Sequence, residues 1–220
     1  MTNNREFRFL ERQHQYFLGM AQMPSVTTVL TEEGLTPAYH QKNDFHRRRG
    51  SAIHKMLQLT IAGQFDFDAT APAVRRFHRG IVQYLETEMP KMLVVEKAGY
   101  HEPGWYAGTI DQVTEWRDGS LAIVDAKSSD TANAPAKSTA YQTAAYALMA
   151  AMMKYQKIGE FANLPPIDLI LPKVKRFGLL LWPDDQGYDI CYKLTPYNSD
   201  HDYNVWRAAL TLNHAKKGRR

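Results

Sequence analysis

The chain has 220 residues, a formal net charge of +4 and one cysteine, Cys191. Hydrophobic residues at 44% and charged residues at 23% are ordinary globular usage and exclude wholesale disorder. The lone cysteine excludes a disulfide framework and an all-cysteine zinc or iron–sulfur site within one chain, and no apolar run approaches the ~18 residues of a membrane span.

The first 22 residues carry weak periodicity, and Met1 to Phe9 lack a signal-peptide core, so a reducing, cytoplasmic setting is the expectation. Pro24-Ser25-Val26-Thr27 reads as a helix entry with Ser25 as N-cap and Gly34 as the stop. From Pro37 to Ala62, Ile53, Met56, Leu57 and Ile61 form one helical stripe, ended by Gly63. A third helix is expected from Ala71 to Glu88, before Pro90.

The pattern then turns strand-like. Met92–Glu96, Gly104–Val113 and Leu121–Lys127 read as three strands, with Asp118-Gly119 as a hairpin signal. A long helix is expected from Pro135 to Lys157. Further strands are expected at Ile167–Leu171, Gly178–Trp182 and Tyr188–Leu194, and a closing helix at Asp200–Lys216. The order predicts one domain with a mixed α/β core: residues 1–90 mainly helical, 91–220 a sheet with closing helices.

Asp111 and Asp125 interrupt apolar strands, where aspartate is depleted. Lys127 follows Asp125 by two residues and shares its face. A two-residue turn at Asp118-Gly119 would pair Asp111 with Ala126 and split the aspartates between faces. A three-residue loop, Arg117-Asp118-Gly119 with Gly119 left-handed, pairs Trp116 with Ser120. Asp111 then stands opposite Asp125, with β-carbons about 4.5–5.5 Å apart. The second register is preferred because it gathers Asp111, Asp125 and Lys127. Facing aspartates repel unless a cation lies between them, and oxygen ligands without cysteine favour Mg²⁺ or Mn²⁺. Carboxylates, cation and lysine suit phosphodiester hydrolysis. From spacing alone, a surface hairpin with solvent-facing aspartates is the commoner outcome.

Gly108-Thr109-Ile110-Asp111, then Ile123-Val124-Asp125-Ala126-Lys127-Ser128, then Gln142-Thr143-Ala144-Ala145-Tyr146, resembles the RecB-type branch of the PD-(D/E)xK nuclease superfamily. Gly50-Ser51-Ala52-Ile53-His54 resembles that branch's glycine-then-histidine helix. Pro24-Ser25-Val26-Thr27 is similar to a motif of the mitochondrial genome-maintenance exonuclease and related phage exonucleases. The motifs span Pro24 to Ala150 in the family's order. The resemblance implies a restriction-endonuclease-like core. Asp111 and Asp125 would be metal ligands, with the Ala126 carbonyl and His54 as further ligands and Lys127 as the catalytic lysine. Glu96 stands where relatives often carry an acidic residue. Gln142, Tyr146 and Ser128 would support the site or touch DNA. Two departures stand out: Ile110 replaces the namesake proline, and the four cysteines of iron–sulfur members are missing, so no cluster is expected.

Singly, these residues have plainer readings. His54 alone would more often be a helix-surface or core histidine. Gly50 within a helix suggests close approach of a neighbour. Arg47, Arg48 and Arg49 are a solvated charge run or a phosphate clamp, and Lys216, Lys217, Arg219 and Arg220 a second basic stretch. Trp105 and Tyr106 could stack on a base, though packing is commoner. Cys191 reads as a buried strand residue without a partner. The expectation is a Mg²⁺- or Mn²⁺-dependent DNA exonuclease using a metal-activated water. Its substrate would be DNA with a free end. Its setting would be phage or bacterial recombination or repair, beside a single-strand annealing protein and away from membranes. The alternatives are a structure-specific endonuclease and a non-cleaving nucleic-acid-binding module on the same fold.

Overall fold

A computed structural model describes residues 5–36, 44–132 and 137–218. Five strands form the central sheet: β4 (Lys91–His101), β5 (Tyr106–Glu115), β6 (Leu121–Ser128), β7 (Lys175–Leu181) and β8 (Tyr192–Pro196), in that order. All neighbours pair antiparallel except β6 and β7, which are parallel. A parallel pair needs a crossover, and α5 (Ser138–Tyr155) supplies it.

Helices cover both faces. Alternation along β6 sends Ile123 into one core cluster, with α5, α1 (Val26–Glu32) and α6 (Asp200–Lys216). It sends Ala122, Val124 and Ala126 into the other, with α2 (Asp44–Ile61) and α4 (His78–Glu88). The helix α5 is alanine-rich and buried nearly all round, as a helix wedged between a sheet and α6 must be. Among the described residues no helix is long and apolar enough to cross a membrane.

Ser25 caps α1, accepting the Thr28 N–H at 3.0 Å, and Gly34 is left-handed after it. The α2 stripe of Ile53, Met56 and Leu57 is buried as expected. The expected starts of α2 from Pro37 and of α5 at Pro135 fall outside the described residues.

Three expectations need correction, and one gains detail. The mainly helical N-terminal part also carries strands. Phe7–Leu10 (β1), Gln15–Leu18 (β2) and Ala21–Met23 (β3) form an antiparallel meander. It packs Tyr16, Leu18 and Met23 against Tyr100 and Ala107 of the main sheet. The helix expected at Ala71–Glu88 is split into α3 (Pro72–Arg75) and α4. At the break the Arg76 carbonyl accepts the Asp184 N–H at 2.9 Å, and Phe77 is fully buried. Ile167–Leu171 forms no strand. The Asp168 carboxylate instead takes the N–H groups of Ile170 and Leu171 at 2.7 and 2.8 Å, the Asx-type alternative to a ladder. Cys191 is buried but lies one residue before β8, its N–H donating to Gln83 Oε1 at 2.8 Å.

Candidate metal centre

The hairpin turn takes the three-residue form. Trp116 N–H donates to Ser120 O at 2.9 Å, Gly119 N–H to Trp116 O at 2.8 Å, and Gly119 has φ +75°. Only a residue without Cβ enters that region at no steric cost. The ladder runs from Glu115↔Leu121 to Gln112↔Val124, so the next pair in register is Asp111 with Asp125. There the strands part. The Asp111 Oδ2 fills the gap, accepting the Ala126 N–H at 2.7 Å.

The neighbouring strand is irregular at the same level. Glu96, in mid-β4, has a left-handed φ of +49°. A non-glycine residue there costs about 1–3 kcal/mol and persists only where its surroundings impose it. On β5, Ile110 and Val113 enter the same core cluster although strict alternation would separate them. The twist turns the Glu96 and Asp111 carboxylates toward α2, where His54 meets them. His54 Nδ1 lies 3.0 Å from Glu96 Oε1 and 3.5 Å from Asp111 Oδ1, and Nε2 lies 3.1 Å from the Ala126 carbonyl. One donor atom from each of His54, Glu96 and Asp111 falls within 4.8 Å of the others.

Both His54 nitrogens face acceptors, so both carry protons. Burial opposes that charge, but the Asp111 and Glu96 carboxylates outweigh it and push the imidazole up to about 9. The protonated ring thus holds the place of a cation among the carboxylates. Asp125 is fully buried, and burial pushes it up to about 6 against the pull of Lys127. Asp111 is also raised, chiefly by burial. Lys127 Nζ sits 2.5 Å from Asp125 Oδ2. Burial disfavours its charge, yet Asp125 and Asp111 overcome that and raise its pKa, so it stays an ammonium.

The donor set fits a hard divalent cation. Three carboxylates crowd one end of a hairpin; buried Asp125 Oδ2 meets the Lys127 ammonium, while Oδ1 has no hydrogen-bond partner among the described residues. Such an orphan is costly unless a charge-bearing partner engages it. Oxygen and imidazole without thiolate suit Mg²⁺ or Mn²⁺.

The far wall comes from α5. Gln142 Nε2 donates to the Tyr146 hydroxyl at 3.0 Å, both are buried, and the Asp125 and Asp111 charges help hold the phenol well above its ordinary pKa, after burial itself. Gly108 is explained by this wall: a Cβ there would lie 2.8 Å from Tyr146 Cε1. The meander reaches the same place. The Tyr16 hydroxyl sits 3.0 Å from Thr109 Oγ1, and its pKa rises to about 12 through burial, with a contribution from Asp111 and Glu96. The alternating apolar residues Phe7, Phe9, Tyr16 and Leu18 are the signal that marks these strands in the sequence.

The remaining candidates fall elsewhere. Ser128 ends β6, paired with Leu181 of β7. Arg47 and Arg48 are exposed on α2. Arg49 is not a solvated charge: it is only 7% exposed and sits 2.5 Å from Asp130. Gly50 has no close neighbour, so close approach does not account for it. Tyr106 is core, stacked on His101 and edge-on to Trp206, which excludes base stacking. Trp105 is half-buried with Arg5 over its ring. Lys216 and Lys217 pair with Glu33 and Glu32, while Arg219 and Arg220 lie outside the described residues. No family model matches this chain, and no curated protein sequence matches it.

Proposed function

We propose that the protein is a Mg²⁺- or Mn²⁺-dependent deoxyribonuclease acting on DNA ends, on a restriction-endonuclease-like core. The observation that carries this reading is the convergence of His54, Glu96 and Asp111 beside the Asp125–Lys127 pair, where β5 and β6 part. The sequence resemblance, not the geometry, supplies the preference for DNA and for exonucleolytic cutting.

His54, Glu96, Asp111 and Asp125, with the Ala126 carbonyl, would hold the cation. A bound divalent ion supplies Lewis-acid stabilisation of charge on the phosphoryl group. Lys127, held as an ammonium by Asp125, donates to a phosphate oxygen and orients the attacking water. The Ala126 N–H fixes one Asp111 oxygen and leaves the other toward His54. His54 would have to give up a proton to serve as a ligand, since only a neutral ring nitrogen has a lone pair to give. Gln142 and Tyr146 form an uncharged wall that excludes water from the buried carboxylates.

The test is incubation of end-labelled linear DNA with Mn²⁺ or Mg²⁺, beside Lys127→Ala and Asp111→Asn. Cutting by the wild type alone supports the reading. Binding without cutting under either metal favours a non-cleaving nucleic-acid-binding module. Cutting of circular single-stranded DNA replaces the exonuclease with a structure-specific endonuclease.

A further inference from the structure

We propose that Arg49 and Arg76 form a binding site for a DNA backbone phosphate, and that the Asp130 carboxylate occupies this site when DNA is absent. The proposal rests on the nuclease reading of the neighbouring cluster.

Two guanidinium groups meet on one carboxylate oxygen. Arg49 Nη1 lies 2.5 Å from Asp130 Oδ1, and Arg76 Nη2 lies 3.0 Å from the same atom. Arg76 Nη1 also reaches Asp185 Oδ2 at 3.0 Å. Arg49 is built in, its side chain 6% exposed; Arg76 is 33% exposed, and both guanidinium carbons lie about 5.5 Å from the Phe77 ring centre. Asp130 is the exposed member, its side chain at 46%. The anchoring member is therefore Arg49, with Arg76 and the Asp130 carboxylate nearer solvent.

The carboxylate does not satisfy the arginines. Among the described residues, Arg49 Nε and Arg76 Nε are both buried with no hydrogen-bond partner. A buried donor left unpaired costs about 1–3 kcal/mol. A phosphate diester offers two non-bridging oxygens that share one negative charge, and guanidinium forks match that geometry. It can engage more of these donors than Asp130 does.

The location suits a strand entering the proposed site. Asp130 follows the end of β6, and Asp185 follows the end of β7, so the pair sits beyond the C-terminal ends of the parallel strands. That edge is where open α/β sheets bind ligands. Asp130 is three residues beyond Lys127, a span of about 11 Å at most. A nucleic-acid strand rising about 3.4 Å per nucleotide places its next few phosphates across that gap. Arg49 lies on α2 five residues before His54.

A plain structural pin and an occupied phosphate site predict opposite signs for Asp130. We would measure binding of a fluorescent oligonucleotide by anisotropy in EDTA, where cutting is off, across a salt series. Asp130→Asn should tighten binding about three- to tenfold by removing the competitor. Arg76→Gln should weaken it about tenfold and lower the salt slope by about one. In the double variant the tightening should vanish, because the two residues share one interaction. Asp118→Asn, a charge-matched change on the exposed hairpin turn, should move affinity less than twofold. Unchanged or weaker binding by a folded Asp130→Asn overturns the proposal, as does full tightening that persists with Arg76→Gln. If Asp130→Asn does not fold, the salt slope of Arg76→Gln decides, and an unchanged slope overturns the site. Cutting is read separately with Mn²⁺. A wild type that binds but never cuts overturns the nuclease reading and leaves the phosphate site standing. A wild type that binds no DNA overturns both.

Discussion

The two ends of the β5–β6 hairpin carry the same residue type in opposite circumstances. At the turn, Asp118 is exposed, accepts the Ser120 N–H and hydroxyl, and meets Lys175 Nζ at 2.6 Å. Lys175 and Ser120 hold its carboxyl well below the usual range. At the parting end, Asp111 and Asp125 are buried and raised. The turn end uses its aspartate to close a loop, and water screens whatever charge remains. The far end buries its aspartates against His54, the Ala126 N–H and Lys127, and it is there that we place the proposed cation. Position along one hairpin thus separates a structural carboxylate from a chemical one.

The strongest way to break this comparison is at the parting end. Asp111→Asn and Lys127→Ala should each lower metal-dependent DNA cutting about a thousandfold, roughly 4 kcal/mol of barrier, in a gel assay with near-native circular dichroism. Asp118→Asn should leave the rate within twofold. Next, Mn²⁺ at a hundred times its dissociation constant should stabilise the wild type by about 2.7 kcal/mol in denaturant titrations. Asp111→Asn should lose most of that gain, and Asp118→Asn should keep it. Equal gains in all three would remove the cation from the parting end.

A smaller effect tests the wall. Gly108→Ala sets a methyl 2.8 Å from the Tyr146 ring and should cost about 1–3 kcal/mol in urea unfolding. The smallest effects concern pH, and here the two ends have opposite signs. Asp125 has a folded pKa above its unfolded one. Without metal, its contribution is fully present below about 3.9 and lost as pH rises through about 6. Asp118 has a folded pKa below its unfolded one, so its contribution is present above about 3.9 and lost on acidification. Subtracting stability–pH curves for Asp125→Asn and Asp118→Asn from the wild type should give slopes of opposite sign in EDTA. Slopes of one sign would erase the distinction.

Much of the hairpin was legible before any coordinates, because loop length and the left-handed need of Gly119 set the register, and register sets the shared face. Asp125 and Lys127 followed from period two. Burial was less legible. Arg47, Arg48 and Arg49 are identical in sequence, yet only Arg49 turns inward, drawn by Phe77 and Asp130 from distant segments. The reversal at Glu96 has no local mark, because the site imposes it. The N-terminal aromatics do alternate, but a 3-10 turn at Glu11–Gln13 and a left-handed His14 interrupt the pattern between β1 and β2. At Ile167–Leu171 an apolar run misleads, because Pro165, Pro166 and Pro172 bracket it and Asp168 captures its amides.

The parallel pairing of β6 with β7 bears on how the chain acquires its chemistry. β4, β5 and β6 form a local meander that can close quickly. Asp125 is paired with Gly178 of β7, more than fifty residues later and across the whole of α5. Until that slow, non-local pairing forms, the β6 edge beside Asp125 is uncovered. On a ribosome adding residues from the N-terminus, every residue of the proposed site emerges before β7 does. The complete proposed site is therefore among the last things this chain makes, and a partly synthesised or misfolded copy carries its residues without their environment.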